Sequence, residues 1–184
     1  IFSWITMALI VAILGFMMDP GNWNTNHNLV DGVLNPIYLP QLFFRTPTAM
    51  VVGGTYGLFL ITIFARKNPA LRKRAIKSSA KWILIWLPIA LIASIIYYRV
   101  MPSAMTANMS TAVGTMDFAQ YYEILKYVII GAIAIVAIAA VVALTKPSLI
   151  KISTAIIPFL AIIFFLAIFE RVREFIRKPY VIGG

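Results

Sequence analysis

Charged side chains near the end of the chain offer the clearest opportunity for chemistry. The stretch 170–178 follows a long apolar run and carries six charges in nine residues. If it is helical, Glu174 and Arg177 share one face, and Glu170 lies one turn before Glu174. A carboxylate here could be an axial ligand, a proton acceptor or an ion-pair partner, and arginine suits a haem propionate or a quinone headgroup. We therefore take Glu174 and Arg177 as candidate cofactor-binding residues, with Glu170 and Arg173 as secondary candidates, and a structural ion pair stays open.

Other metal and redox chemistry has few ligands to use. The chain has no cysteine and a single histidine, His27, so thiolate iron–sulfur ligation and a haem held by two histidines of this chain are excluded. A protein metal site of the His or Cys kind is not expected. His27 lies in an asparagine-rich loop, which favours a solvated side chain.

A methionine pattern follows the third apolar run. Met101, Met105 and Met109 recur every four residues, a spacing that lines up one face of a short helix. This face could pack against a partner, or one thioether could ligate a haem. The spacing does not choose between them.

The elements that must position these residues are membrane-spanning helices. Of the 184 residues, 61% are hydrophobic and 12% charged, and the mean hydropathy is +0.91, which is outside the range of soluble domains. A spanning helix needs about 20 mainly apolar residues. The sequence predicts an all-α polytopic transmembrane helix bundle in a single domain, 1–184, with about five spans at 1–18, 48–65, 82–101, 124–145 and 152–169. Both ends of the chain are abrupt and apolar, so we expect more protein beyond each.

Basic residues predict the orientation of the bundle. Lys146 and Lys151 lie between the last two spans, and seven positive residues lie between the second and third, which the positive-inside rule places in the cytoplasm. The regions 19–46 and 102–123 then face the opposite side. No aromatic residues interleave with the cluster, so lipid headgroups rather than nucleic acid are the expected contact. The seven are Arg66, Lys67, Arg72, Lys73, Arg74, Lys77 and Lys81.

The spans themselves contain few polar features. Pro88 and Pro158 are expected to kink their helices, and Gly53 with Gly57 leaves a shallow face for another helix or a flat cofactor. No ionisable residue lies in the centre of a span, which argues against a self-contained transporter. Lys126, three residues after Glu123, is expected to snorkel or to form a local ion pair. Five aromatic residues near span ends are expected interface anchors: Trp4, Trp82, Trp86, Tyr97 and Tyr98.

Three short motifs give the chain a family resemblance. Residues 15–20 read Gly-Phe-Met-Met-Asp-Pro, residues 33–36 read Val-Leu-Asn-Pro, and Glu174-x-x-Arg177-x-Pro179-Tyr180 precedes an Ile-Gly pair. In order and spacing these motifs resemble subunit I of the cytochrome bd quinol oxidases. The resemblance covers nearly the whole chain and aligns it with the fourth to eighth spans of that family, without the first three and the ninth.

The resemblance implies both retained and missing sites. Glu174 falls on the glutamate that ligates or neighbours the family's high-spin haem b, with Arg177 beside it. The family's low-spin haem ligands, a histidine and a methionine, fall within 43–47 and 123–127, which read Phe-Phe-Arg-Thr-Pro and Glu-Ile-Leu-Lys-Tyr. Neither ligand is present, so we predict no low-spin haem bridged between the second and fourth spans. The counterpart of the quinol-oxidising loop, 102–120, is short and lacks an evident charged site.

Two functions of different classes follow from these observations. The first is a membrane subunit of a respiratory electron-transfer complex, part of an oxidoreductase rather than a self-sufficient enzyme, whose haem or quinone is shared with other membrane or cytochrome subunits. The second is a redox-silent scaffold that kept the fold and lost the haems. A transporter fragment is a third, less favoured interpretation. The resemblance implies a prokaryotic inner membrane.

Overall fold

The computed structural model describes the backbone of residues 2–103 and 122–181, and their side chains except for 122, 123, 125 and 171–181. All regular elements in these ranges are helical, as the sequence predicts. Helices α1 to α3 are Phe2–Met18, Trp23–Asn26 and Leu29–Val33. The longer helices α4 to α7 are Tyr38–Phe64, Pro69–Val100, Tyr122–Thr145 and Ile152–Val181, and a short 3-10 turn at Pro147–Leu149 joins the last two.

Four helices of the described chain are long and apolar enough to cross a membrane: α4, α5, and the segments Lys126–Thr145 of α6 and Ile152–Glu170 of α7. By the length and composition of these helices, the chain is an integral membrane protein. The predicted first span corresponds to α1, a shorter apolar helix of 17 residues. At 1.5 Å per residue α1 measures about 25 Å, a little less than the roughly 30 Å of a hydrocarbon core.

The basic stretch 66–81 is largely helical and not the loop that its composition suggested. Pro69 occupies the first position of α5, and the Asn68 side chain accepts a hydrogen bond from the Leu71 N–H at 3.0 Å. Proline and asparagine are favourable at these two positions of a helix start. With 32 residues, α5 extends about 48 Å. Its first turns can therefore carry charge beyond the hydrocarbon layer.

Prolines do not end the long helices. Pro47 and Pro88 lie inside α4 and α5, and α7 continues through Pro158. A proline after a charged segment commonly ends a helix, but α7 runs past Pro179 to Val181. A proline near a helix end removes one backbone donor, and the preceding turns keep their hydrogen bonds.

The described residues form two compact units, to both of which α4 and α5 contribute. Of the described residues, one unit draws on 2–46, 91–103 and 172–181, and the other on 47–90 and 122–171. In the first unit, α1 packs on the start of α4 through Ala8, Val11 and Leu42. In the second, there are two apolar clusters, one around Ile83 and one around Leu58. Each cluster contains residues of all four helices α4, α5, α6 and α7. Buried Thr55 and Thr62 donate to carbonyls of their own helix at 2.9 and 2.7 Å, which satisfies them without a partner helix.

Close helix packing on α4 centres on Gly54 rather than on Gly53. A Cβ added at Gly54 would lie 2.7 Å from Cγ1 of Ile83 on α5, whereas one at Gly53 would meet no atom within 4 Å. At Gly57 the nearest atom would be the Ser79 Oγ, at 3.4 Å. The glycine spacing correctly predicted a contact face on α4. It predicted Gly53 and Gly57 on that face, whereas the closest contact with α5 is at Gly54.

The expected aromatic anchors divide by exposure. Trp4, Trp82 and Tyr98 are 46%, 44% and 52% exposed, as an interface role requires. Trp86 is partly buried against the Ile83 cluster. Tyr97 is buried and stacks on Phe44 with ring centroids 5.6 Å apart. Its prediction as an anchor is wrong, because the ring packs inside the protein.

Candidate functional site

The charged segment of α7 is helical, but most of its side chains lie outside the described residues. Glu174 and Arg177 occupy backbone positions about one turn apart on a continuous helix. Arg173 lies on the same segment, and its side chain is likewise outside the description. Glu170 is described and is exposed. The helical spacing assumed for the candidate cofactor-binding residues is therefore confirmed, and their contacts stay a prediction.

The stretch aligned with a low-spin haem ligand is filled by packed aromatic side chains. Phe44 is 6% exposed, and its ring lies nearly parallel to that of Tyr97, with an interplanar angle of 10°. Phe43 is exposed, and Arg45 is half-buried. Within the aligned stretch, the side chains of Phe43, Phe44 and Arg45 are not haem-iron ligands. This part of the protein therefore does not fit a bis-axially ligated haem.

Lys126 lies at the start of a candidate span, and its predicted snorkelling stays a prediction. The side chain is exposed, and its Nζ lies 5.4 Å from the centroid of the Tyr127 ring. This distance is compatible with a cation–π contact. The Glu123 side chain lies outside the described residues, as do Met105 and Met109, so the ion-pair alternative and the methionine face stay predictions.

Two of the family-like motifs meet in space. Gly15, near the end of α1, lies against Asn35, in the segment between α3 and α4. A Cβ at residue 15 would approach the Asn35 Oδ1 to 2.5 Å. This approach requires glycine, because any other residue would displace the Asn35 amide. The structure thus joins the Gly15–Pro20 motif to the Val33–Pro36 motif at one buried contact.

Asn35 ties the backbone of this contact together. It is 3% exposed, and its Nδ2 donates to the carbonyls of Ala12 and Gly32, each at 3.1 Å. Its Oδ1 is buried and meets no donor among the described residues. A buried amide normally satisfies both ends. The oxygen is instead enclosed against Gly15, so its lost hydrogen bond is a local cost of the contact.

Gln41, the fourth residue of α4, is a second buried side-chain amide whose oxygen has no described donor, and it was not predicted as a site residue. The side chain is 1% exposed, and its Oε1 is buried without a donor in the described part of the chain. A polar residue at an otherwise apolar helix start was the available signal, but composition cannot show that it points inward.

The polar loop before these residues is a locally bonded turn. His27 is exposed and has a positive φ of 51°, and its ring lies edge-on to Trp23 at 5.1 Å. Asn28 caps α3 by accepting from the Val30 N–H at 3.0 Å. Asn26 donates to Asp31. The exposure of His27 agrees with the solvated side chain that its neighbours predict.

No described residues form a group of three or more His, Cys, Asp or Glu side chains that could hold a metal ion. The strongest concentration of charge is instead a basic cavity where α5 begins and α6 ends. In the sequence, the cations of this cavity serve as orientation signals. The sequence did not predict that the two basic connections meet.

Comparison of the chain with protein-family models, curated proteins and solved structures finds no significant match.

Proposed function

We propose that this chain is a membrane subunit of a respiratory electron-transfer complex resembling subunit I of the cytochrome bd quinol oxidases. In this proposal it works with haem or quinone groups that other helices or subunits help to hold. The four apolar helices place the chain in the bilayer. The resemblance adds the redox role.

The contact between Gly15 and Asn35 carries the proposal. Short motifs can match a family by chance, but chance does not require two matched motifs to form one buried contact. Here the motif glycine leaves the space that the motif asparagine fills, and the amide then bonds the α1 backbone at 3.1 Å. This mutual fit supports treating the motifs as parts of one inherited structure.

A redox-silent scaffold is the second candidate, and the buried Phe44–Tyr97 stack favours it. Where the resemblance implies a haem ligand, the chain has Phe44, whose side chain has no coordinating atom and is stacked on Tyr97. A subunit with this packing can hold neighbouring subunits in place without carrying electrons through this region.

A haem spectrum of the purified complex separates the two candidates. The tagged chain is isolated with its partners in mild detergent, and the reduced-minus-oxidised spectrum and the pyridine haemochrome are recorded. We expect b-type haem to co-purify, without a six-coordinate low-spin component that depends on this chain. An intact complex without haem would reject the redox subunit in favour of the scaffold.

A further inference from the structure

The second compact unit has a cavity of about 600 Å³ between the start of α5, the residues just before it, and the end of α6 with the turn that follows. Five cationic side chains line the cavity, and they come from three separate parts of the chain. Arg66 follows α4, three lie on the first turns of α5, and Lys146 follows α6. The five are Arg66, Arg72, Lys73, Lys77 and Lys146.

Two of the guanidinium groups are held in place by backbone carbonyls. Arg72 donates from its terminal nitrogen to the Ile150 carbonyl at 2.7 Å, and Arg66 donates from Nε to the Thr62 carbonyl at 3.2 Å. The Arg72 bond links the start of α5 to the connection between α6 and α7. The cavity is therefore built by tertiary structure and is more than a row of solvated side chains.

Arg72 also has an unused donor at this place. Its Nε is buried and meets no acceptor among the described residues. A buried charged donor without an acceptor is costly, so the protein leaves the Arg72 guanidinium incompletely satisfied, and an anion in the cavity would offset its charge.

The charge of the cavity is not balanced by nearby acids. No described lining residue is acidic, and the sequence has no Asp or Glu within 32–116 or 124–169. In addition, Arg72 and Lys73 lie near the N-terminal end of α5, where the helix dipole disfavours positive charge. Such an arrangement opposes helix stability and favours a bound anion.

The position of the cavity identifies the source of that anion. Phe64 and Thr145 are the last residues of two candidate spans, so the cavity lies at the membrane boundary. Its wall also includes apolar Pro69, Ile76 and Pro147. Phosphate groups of phospholipids lie at this depth, and basic pockets between spanning helices suit anionic headgroups.

We propose that this cavity is a binding site for the phosphate headgroup of an anionic phospholipid. The Arg72 guanidinium and the lysines of α5 contact the phosphate oxygens, and the apolar wall lies beside the glycerol backbone. The proposal concerns a lipid site and does not depend on whether the chain carries electrons.

Native mass spectrometry of the detergent-purified protein tests the site with three probes: cardiolipin, phosphatidylglycerol and phosphatidylcholine. We expect the two anionic lipids to be retained in preference to phosphatidylcholine. The Lys73→Gln/Lys77→Gln double variant should bind them about 25-fold more weakly, since each of the two cations near a lipid surface contributes roughly fivefold in affinity.

The matched control is the Lys67→Gln/Arg74→Gln double variant. It removes the same charge from the same segment, but neither residue lines the cavity. Retention close to that of the unmodified protein supports a defined site. An equal loss in both double variants would reduce the effect to general surface charge and reject the proposal.

Inorganic phosphate separates the lipid from a free anion. The unmodified protein is titrated with phosphate while lipid retention is followed, which requires no variant to fold. We expect lipid to stay bound at phosphate concentrations that exceed those of the lipid. Displacement of the lipid by phosphate, or equal retention of phosphatidylcholine, would overturn the assignment to an anionic phospholipid.

Discussion

Asn35 shows how a single buried amide holds separate segments together. Its Nδ2 bonds the carbonyls of Ala12 in α1 and Gly32 in α3. In an apolar environment these bonds are costly to lose, because the carbonyls cannot turn to water.

We expect Asn35→Asp to destabilise the protein by about 1–3 kcal/mol, because the variant replaces a donor with an acceptor that faces carbonyl oxygens. The measurement is the thermal unfolding midpoint in detergent, followed by tryptophan fluorescence. Asn28→Asp is the matched control. Its side chain accepts from the Val30 N–H, a role that aspartate keeps at a helix start. Equal midpoints for both variants would contradict the bonding role of Asn35.

Glu174 is the residue on which the redox proposal can be tested most directly. If haem co-purifies, Glu174→Gln should alter its absorption spectrum or its electron-transfer rate and leave assembly intact, since glutamine keeps the volume and removes the charge. The same substitution at exposed Glu170, one turn earlier, should have a smaller effect. Unchanged spectra and turnover at position 174, in a complex that assembles normally, would favour the scaffold.

Arg177 provides a second test of the same segment. Arg177→Lys keeps the positive charge but loses the planar fork that binds a propionate or a quinone oxygen through two hydrogen bonds. We expect lower turnover with normal assembly, measured as quinol-dependent oxygen or acceptor reduction. Full activity with lysine would show that only charge is needed there.

At the scale of the helices, Gly54 determines how closely α4 approaches α5. A methyl group at this position would lie 2.7 Å from Ile83 Cγ1 and 3.0 Å from Trp82 Cδ1. Trp82 is itself held by a hydrogen bond from its Nε1 to the Met50 carbonyl at 3.0 Å. The close approach of Gly54 to α5 is therefore accompanied by a hydrogen bond that also links α5 to α4.

We expect Gly54→Ala to destabilise the protein by about 1–3 kcal/mol through overpacking. The neighbouring Gly53→Ala change places its methyl in open space and should be neutral, or stabilising by about 0.5–1 kcal/mol. Thermal unfolding of the two variants in the same detergent measures the difference. A more harmful effect at position 53 than at position 54 would mean that α4 is rotated from the orientation described.

At the scale of the whole molecule, the two basic connections lie on one side of the membrane. The Arg72 bond to the Ile150 carbonyl requires the start of α5 and the start of α7 to be neighbours. The positive-inside rule independently assigns both to the cytoplasm. The geometry and the charge distribution therefore agree.

Cysteine labelling tests this orientation without background, because the chain has no native cysteine. We expect Lys73→Cys and Ser148→Cys to react with an impermeant thiol reagent from the cytoplasmic side only. Thr111→Cys, which lies outside the described residues, should react from the opposite side. Labelling of positions 73 and 111 from the same side would contradict the predicted topology.

Composition and periodicity by themselves determined that the chain is helical and membrane-embedded. Long apolar runs must bond their own backbone in lipid, so the helices near 48–65, 82–101, 124–145 and 152–169 were predictable. Their ends were less so. Charged residues do not break a helix, so the basic stretch 69–81 belongs to α5 and the charged segment 170–178 belongs to α7.

Only the tertiary structure decided which residues meet. Sequence spacing could suggest a glycine face on α4, but the rotation of the helix against α5 selects Gly54. It likewise could not show that Asn35 fits against Gly15, that Phe44 covers Tyr97, or that Arg72 reaches Ile150. These contacts join positions far apart in the chain, and their geometry depends on how whole helices pack. Local residue patterns can mark a contact face, but they do not fix how that face is rotated against its neighbour, because each helix would form the same backbone hydrogen bonds in any orientation.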